Sequence, residues 1–368
     1  MKHLCTLFSK HHNFFIASAF LSIILLAFSA SAFSAVILQY HHVSSTTPKS
    51  TSITPAQFEL HLKYLKDNNF KVVPLSVLVD SIQKQTPMED KTVAITFDDA
   101  YIDVLTQAKP LLDKYNYPYT MFANANIIDK NEGKKNSQYL SWEQLKAMGD
   151  DGMIIANHGF EHDSMIRVPN GLTKKEWLDK RAEQLLKSEQ IIKDKTGQNW
   201  RYFAYPYGEY DVDVQAWIKE NNFIAFSQQS GAIGLTTDLS IIPRFPASMP
   251  YDKIPSLRDK LNSLAFDITL EGKNAQTVFE HKQAQSITFS VATDDFYKSQ
   301  LNCYISGLGK QKIKWLDDNN FSIDFSKPLP SGRVRCNCTA ASISKSGRYY
   351  WYSKPWFVLK PGGAWYHL

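Results

Sequence analysis

Apolar residues between positions 36 and 264 follow two alternating spacings. Residues 36–40, 93–97, 119–123, 153–156, 202–205 and 223–226 are short apolar runs, the length and texture of buried strands. Between them lie stretches with helical periodicity, such as Phe58, Leu62 and Leu65 on one face. Their starts carry capping signals. Thr54 precedes Pro55 and Gln57, Ser141 precedes Gln144, and Thr173 precedes Glu176. Gly197 closes the last of these helices. Strands alternating with helices predict an α/β fold with a parallel sheet, a closed or distorted (β/α) barrel over residues 36–264. After residue 266 the helical period disappears. Residues 286–291, 311–315, 332–338, 349–352 and 356–359 read as short strands, so residues 266–368 are expected to form a small all-β, sandwich-like domain.

The start of the chain has a third texture. Lys2 and Lys10 give a positively charged beginning, residues 14–28 are apolar, and Ala30-Ser31-Ala32 fits a small-residue cleavage site. Residues 1–32 are therefore expected to be a signal peptide, with an uncleaved membrane anchor as the alternative. The chain is expected to be exported to the periplasm or the extracellular space, with cell-envelope association if the anchor is kept. Three cysteines follow that segment, Cys303, Cys336 and Cys338. An oxidising compartment predicts one disulfide from Cys303 to one of the other two. Hydrophobic residues make up 43% of the 368, enough for a full core. The net charge of +5 comes without a Lys/Arg block, so nucleic acid is not an expected partner.

Three clusters carry candidate chemistry. Thr96-Phe97-Asp98-Asp99 ends an apolar strand, and its adjacent carboxylates leave the strand in different directions. His158 and His162 follow residues 153–156 at a spacing that would put both imidazoles on one face of a helical turn, as paired metal ligands require. Residues 201–208, Arg201-Tyr202-Phe203-Ala204-Tyr205-Pro206-Tyr207-Gly208, end a strand in a turn where a backbone N–H can face a developing oxyanion.

In this order the clusters resemble the polysaccharide deacetylase family, carbohydrate esterase family 4, over roughly residues 36–262. Tyr119-Thr120-Met121-Phe122 and Leu140-Ser141-Trp142-Glu143-Gln144-Leu145 agree with it. Tyr40-His41-His42-Val43 and the helix after Thr54 look most like the exported poly-N-acetylglucosamine deacetylases, whose barrel is circularly permuted. The resemblance implies a divalent metal, zinc being the expected ion, held by Asp99, His158 and His162. It implies Asp98 as general base, Arg201 as the residue orienting Asp98, and the Tyr207 N–H as an oxyanion donor. The implied partner is an amino-sugar polysaccharide.

The family's late Leu-x-His motif, which supplies the general acid, is absent. A permuted barrel would move that acid to the first strand, where His41 and His42 stand. Only one of two neighbours on a strand faces inward. The Tyr40-His41 step matches the related deacetylases, so the resemblance implies His41 as the acid. Two other readings remain at this stage. A glycoside hydrolase needs two carboxylates roughly 5–9.5 Å apart across the scissile bond and leaves the histidines unused. A binding-only protein would use the tail aromatics, Tyr349 to Tyr352, Trp356 and Trp365, as a sugar platform. Chitin, peptidoglycan and acetylated xylan are alternative substrates for the same chemistry.

Overall fold

The computed structural model describes residues 34–280, 286–325 and 327–368. The expected signal segment lies outside them. Seven strands make the frame: β1 (Ala35–Tyr40), β2 (Thr92–Asp98), β3 (Thr120–Ala123), β4 (Ile154–Asn157), β5 (Tyr202–Ala204), β6 (Ile224–Phe226) and β7 (Phe245–Pro246). Their spatial order is β7-β1-β2-β3-β4-β5-β6, and every pairing is parallel. A short strand, Lys71–Val72, adds to the base of β2. The six expected strands are all present, within a residue or two of their expected ends.

The sheet curls into a distorted barrel, and the segment around residues 242–246 bridges its two edges. Ile242 pairs with Phe226 at the β6 edge, and Phe245 pairs with Leu38 of β1. Side chains alternate across the sheet as a period of two demands. Val93, Ile95 and Phe97 pack outward in a core shared with Phe58, Leu62 and Leu65 of the helix Pro55–Asp67. Ala94, Thr96 and Asp98 therefore point inward. Small and polar inward residues leave the barrel's C-terminal mouth free for chemistry. The three helix starts read from sequence are capped, Thr54 accepting from the Gln57 N–H without the reciprocal bond of a full box. Ser141 and Thr173 form full capping boxes, and Gly197 ends its helix left-handed at φ 78°.

The C-terminal region is β-rich, as expected. One sheet contains β8 (Ser263–Ala265), β10 (Asn302–Ile305), β12 (Gly332–Ala341) and β13 (Tyr349–Val358). A facing sheet contains β9 (Ser286–Val291) and β11 (Asn320–Asp324). Both sheets bury one core that includes Phe289, Phe321, Val334 and Trp356. The disulfide joins Cys303 to Cys338, and Cys336 is a buried thiol.

Two expectations for this region change. The runs expected at 349–352 and 356–359 are one strand, β13, continuous through Pro355. Beyond its long pairing with β12, β13 meets β8 only at 349–351 and Val278–Phe279 only at 357–358. Among the described residues the gap between these contacts has no second neighbour, so a residue without an N–H is tolerated there. The change of texture near residue 265 is also not a break in packing. Phe357 sits in a core with Phe203, Tyr205 and Tyr210 of the barrel. Thr277 Oγ1 donates to the Tyr210 carbonyl at 2.5 Å. Both regions belong to one compact unit.

Candidate active site

β2 delivers Asp98 inward, and the chain then turns sharply. Asp99 and Ala100 have φ of 74° and 55°, left-handed values uncommon for residues with a Cβ. That turn breaks the strand alternation and brings the second carboxylate into the same mouth. Asp98 is fully buried and gripped on both oxygens. Arg244 Nη1 donates to Oδ1 at 2.7 Å and Nη2 to Oδ2 at 2.9 Å, while Gln39 Nε2 donates to Oδ2 at 2.7 Å. Burial alone would raise the Asp98 pKa. The charges of Arg244, His158 and His41 outweigh it and hold the carboxyl well below the usual range. Asp99 accepts a hydrogen bond from Tyr101 and is paired with no arginine among the described residues. Its burial, opposed by His41 and reinforced by Asp98, pushes it up to about 6.

His158 follows β4 and His162 follows a loop. His158 Nδ1 lies 2.8 Å from the Ala204 carbonyl. A carbonyl only accepts, so Nδ1 carries the proton and Nε2 presents its lone pair. That Nε2 is buried and, among the described residues, has no hydrogen-bond partner. It lies 3.4 Å from Asp99 Oδ1, and His162 Nε2 lies 3.5 Å from the same oxygen. Burial lowers the His158 pKa to about 3, so the ring is neutral, as a ligand must be. The residues between the two histidines are not helical, which differs from the spacing argument. His162 reaches the site because its own backbone is left-handed, at φ 58°.

One donor from each of Asp99, His158 and His162 falls within 4.8 Å of the others, the single such metal-ligating cluster found among the described residues. Two neutral imidazoles, a carboxylate and an orphaned buried Nε2 fit a divalent cation, because a buried acceptor without a partner is costly unless something binds it.

His41 and His42 separate as the strand period requires. His41 Nε2 lies 3.9 Å from Asp98 Oδ2 with its side chain 18% exposed. His42 turns away. Its Nδ1 is 2.6 Å from Asp103 Oδ2 and its ring stacks on Tyr101 at 3.6 Å. Tyr207 stands at the rim, its ring 4.4 Å from that of His162.

Arg201 is elsewhere. It precedes β5, so it lies at the opposite end of that strand from the Pro206-Tyr207 turn. Its Nη2 donates to the Asn221 carbonyl at 2.5 Å and its guanidinium covers the Phe223 ring at 4.2 Å. The expectation that Arg201 orients Asp98 is therefore corrected, since the residue that does so is Arg244. Arg244 is fully buried in the segment that bridges the barrel edges. Its only sequence signal was a lone charge inside the apolar run Ile241-Ile242-Pro243-Arg244-Phe245.

Comparison with known proteins agrees with this fold. The polysaccharide deacetylase family model matches residues 85–225, which hold Asp98, Asp99, His158, His162 and Tyr207, while His41 and Arg244 lie outside. The Bacillus subtilis protein YxkH, described as a polysaccharide deacetylase, is 32% identical over 179 residues, 48% of this chain. The match spans only 58% of that relative's length. A poly-β-1,6-N-acetyl-D-glucosamine N-deacetylase of Staphylococcus epidermidis is 27% identical over 58% of this chain and 79% of that one. Among solved structures, IcaB from Ammonifex degensii shares the fold at a TM-score of 0.53 and 24% identity, covering 62% of this chain and 97% of that one. Residues 85–225 match the polysaccharide deacetylase family, two curated deacetylases are similar in sequence to part of the chain, and the barrel around those residues shares the fold of IcaB.

Proposed function

We propose that the chain removes N-acetyl groups from a poly-N-acetylglucosamine-like polysaccharide in a metal-dependent hydrolysis. The observation that carries this is the buried, unpartnered His158 Nε2 facing Asp99, with His162 beside them. Asp99, His158 and His162 would hold the ion, zinc being the choice that suits two imidazoles and a carboxylate. Such an ion supplies a Lewis acid and a lowered pKa for water at neutral pH.

The protein's own groups supply the rest. Asp98, ionised and aligned by Arg244 and Gln39, takes a proton from the attacking water as its oxygen bonds to the acetyl carbon. The Tyr207 N–H donates to the oxyanion that forms. His41, across from Asp98, gives a proton to the departing amine as the C–N bond breaks, leaving acetate and a free amino sugar.

The amino-sugar polymer is favoured by the relative from Staphylococcus epidermidis, whose name states that substrate. Export follows from the N-terminal pattern. Among the described residues, no helix is long and apolar enough to cross a membrane. Acetate release from poly-N-acetylglucosamine, chitin oligomers, peptidoglycan and acetylated xylan, with and without chelator, tests the proposal. Chelator-sensitive release from the first supports it. Release that survives full metal removal, or preference for another polymer, overturns the metal or the substrate respectively.

A further inference from the structure

Tyr207 does its proposed work with its backbone, and its backbone is in an unfavourable conformation. Its φ of 58° and ψ of 3° are left-handed, and Gly208 follows at φ 65°. A residue with a Cβ stays in that region only where its surroundings hold it there. The holding contact comes from the β-rich region, beyond the residues the family model matches. Arg333 of β12 donates through Nη2 to the Tyr207 carbonyl. Its Nη1 reaches Gln228 Oε1 at 3.3 Å. Gln228 packs so closely on Gly208 that a Cβ there would come within 2.6 Å of the Gln228 Cβ.

The peptide plane between Tyr207 and Gly208 is thus tied at both ends. Arg333 takes its carbonyl, and its N–H donates to the Tyr205 carbonyl at 2.9 Å. With that plane fixed, the adjoining plane that carries the Tyr207 N–H has little freedom left. A second tie follows directly. Glu209 is fully buried and takes a forked pair from Arg167, at 2.7 and 2.6 Å, with the Tyr366 hydroxyl donating at 3.0 Å.

We propose that Arg333 is a positioning residue for the deacetylation: it locks the Tyr207–Gly208 turn so that the Tyr207 N–H is aimed at the substrate oxyanion. The β-rich region therefore completes the active site. This rests on the reading of Tyr207 under Proposed function.

The test compares Arg333→Met and Arg333→Lys with wild type as full, metal-loaded chains. It measures kcat and KM for acetate release from a soluble N-acetylglucosamine oligomer, with bound metal and melting midpoint. Removing an oxyanion donor outright costs about 10²–10³-fold in rate, so a misaimed donor should lower kcat by about 10–10²-fold. KM, metal content and melting midpoint should stay near wild type in Arg333→Met. Arg333→Lys should recover part of kcat, because an ammonium can still donate one hydrogen bond. Wild-type kcat in Arg333→Met overturns the role. So does a kcat loss that tracks lost metal or a lowered melting midpoint, with Lys no better than Met. If Arg333→Met does not fold, Arg333→Lys decides: reduced kcat at unchanged KM and metal supports the role, and wild-type kcat overturns it. A wild-type chain that releases no acetate overturns the deacetylase reading itself, which separates the two failures.

Discussion

Arg244 holds Asp98 with two parallel hydrogen bonds, at 2.7 and 2.9 Å, across 146 residues of sequence. Both groups are fully buried, so each is the other's main compensation for leaving water. Arg244→Met should lower kcat by about 10²-fold or more and destabilise the fold, since breaking one side of a buried pair typically costs about 3–5 kcal/mol. Arg201→Met should leave kcat within a few-fold of wild type. The opposite ranking in steady-state kinetics would restore Arg201 to the site.

His158→Ala removes an imidazole whose Nε2 has no hydrogen-bond partner among the described residues. Bound metal, measured by elemental analysis after dialysis, should fall from one equivalent to near zero. Asp98→Asn should keep its metal and lose about 10²–10⁴-fold in turnover, the usual range for a general base. Full metal occupancy in His158→Ala would remove that residue from the ligand set.

His41→Ala should cut kcat by about 10²-fold with metal retained, because general acids contribute on that scale. His42→Ala should do far less to turnover. Its imidazole is committed to Asp103 and Tyr101, so its loss should appear mainly in the melting midpoint. If His42→Ala is the more damaging to kcat, the proton donor has been misassigned.

A fragment of residues 34–265 should not be an active, soluble enzyme. It would lose Phe357 from the core around Tyr205 and Tyr210, the Thr277 bond to Tyr210, and Arg333 at Tyr207. Size-exclusion chromatography and acetate release on a short oligomer check this. A monodisperse fragment with wild-type turnover would show that the barrel needs neither contact.

His61 predicts part of the acid sensitivity. Its Nδ1 takes the Tyr40 hydroxyl at 2.9 Å and its Nε2 donates to the Asp252 carbonyl at 2.6 Å, a fully used neutral ring. Burial lowers its pKa from 6.5 to about 4. Between those values the unfolded chain binds a proton that the folded one refuses, so stability falls with pH there. The contribution is complete above 6.5 and is progressively lost towards 4. The melting midpoint of His61→Gln should fall less than that of wild type between about pH 7 and pH 4.5. Parallel slopes would mean His61 titrates normally in the fold.

Much of this molecule could be read from short stretches of chain, because the determining forces there are local. The alternation in 93–98 sends Thr96 and Asp98 inward, and the same period separates His41 from His42. Capping signals at Ser141 and Thr173 set helix starts through bonds to residues three positions away. Asp99, His158 and His162 could be read because Asp99 follows β2 and both histidines follow β4, and a parallel barrel brings those strand ends to one mouth. The partner of Asp98 could not be read. Arg201 and Arg244 both lie near strand ends, and only the closure of the sheet through residues 242–246 puts Arg244 inside and leaves Arg201 at the far end. Nor does any local period reveal that Phe357 and Arg333 return to the barrel. Those contacts depend on how two separately patterned regions bury their remaining apolar surface against each other, and that is settled only once both have folded.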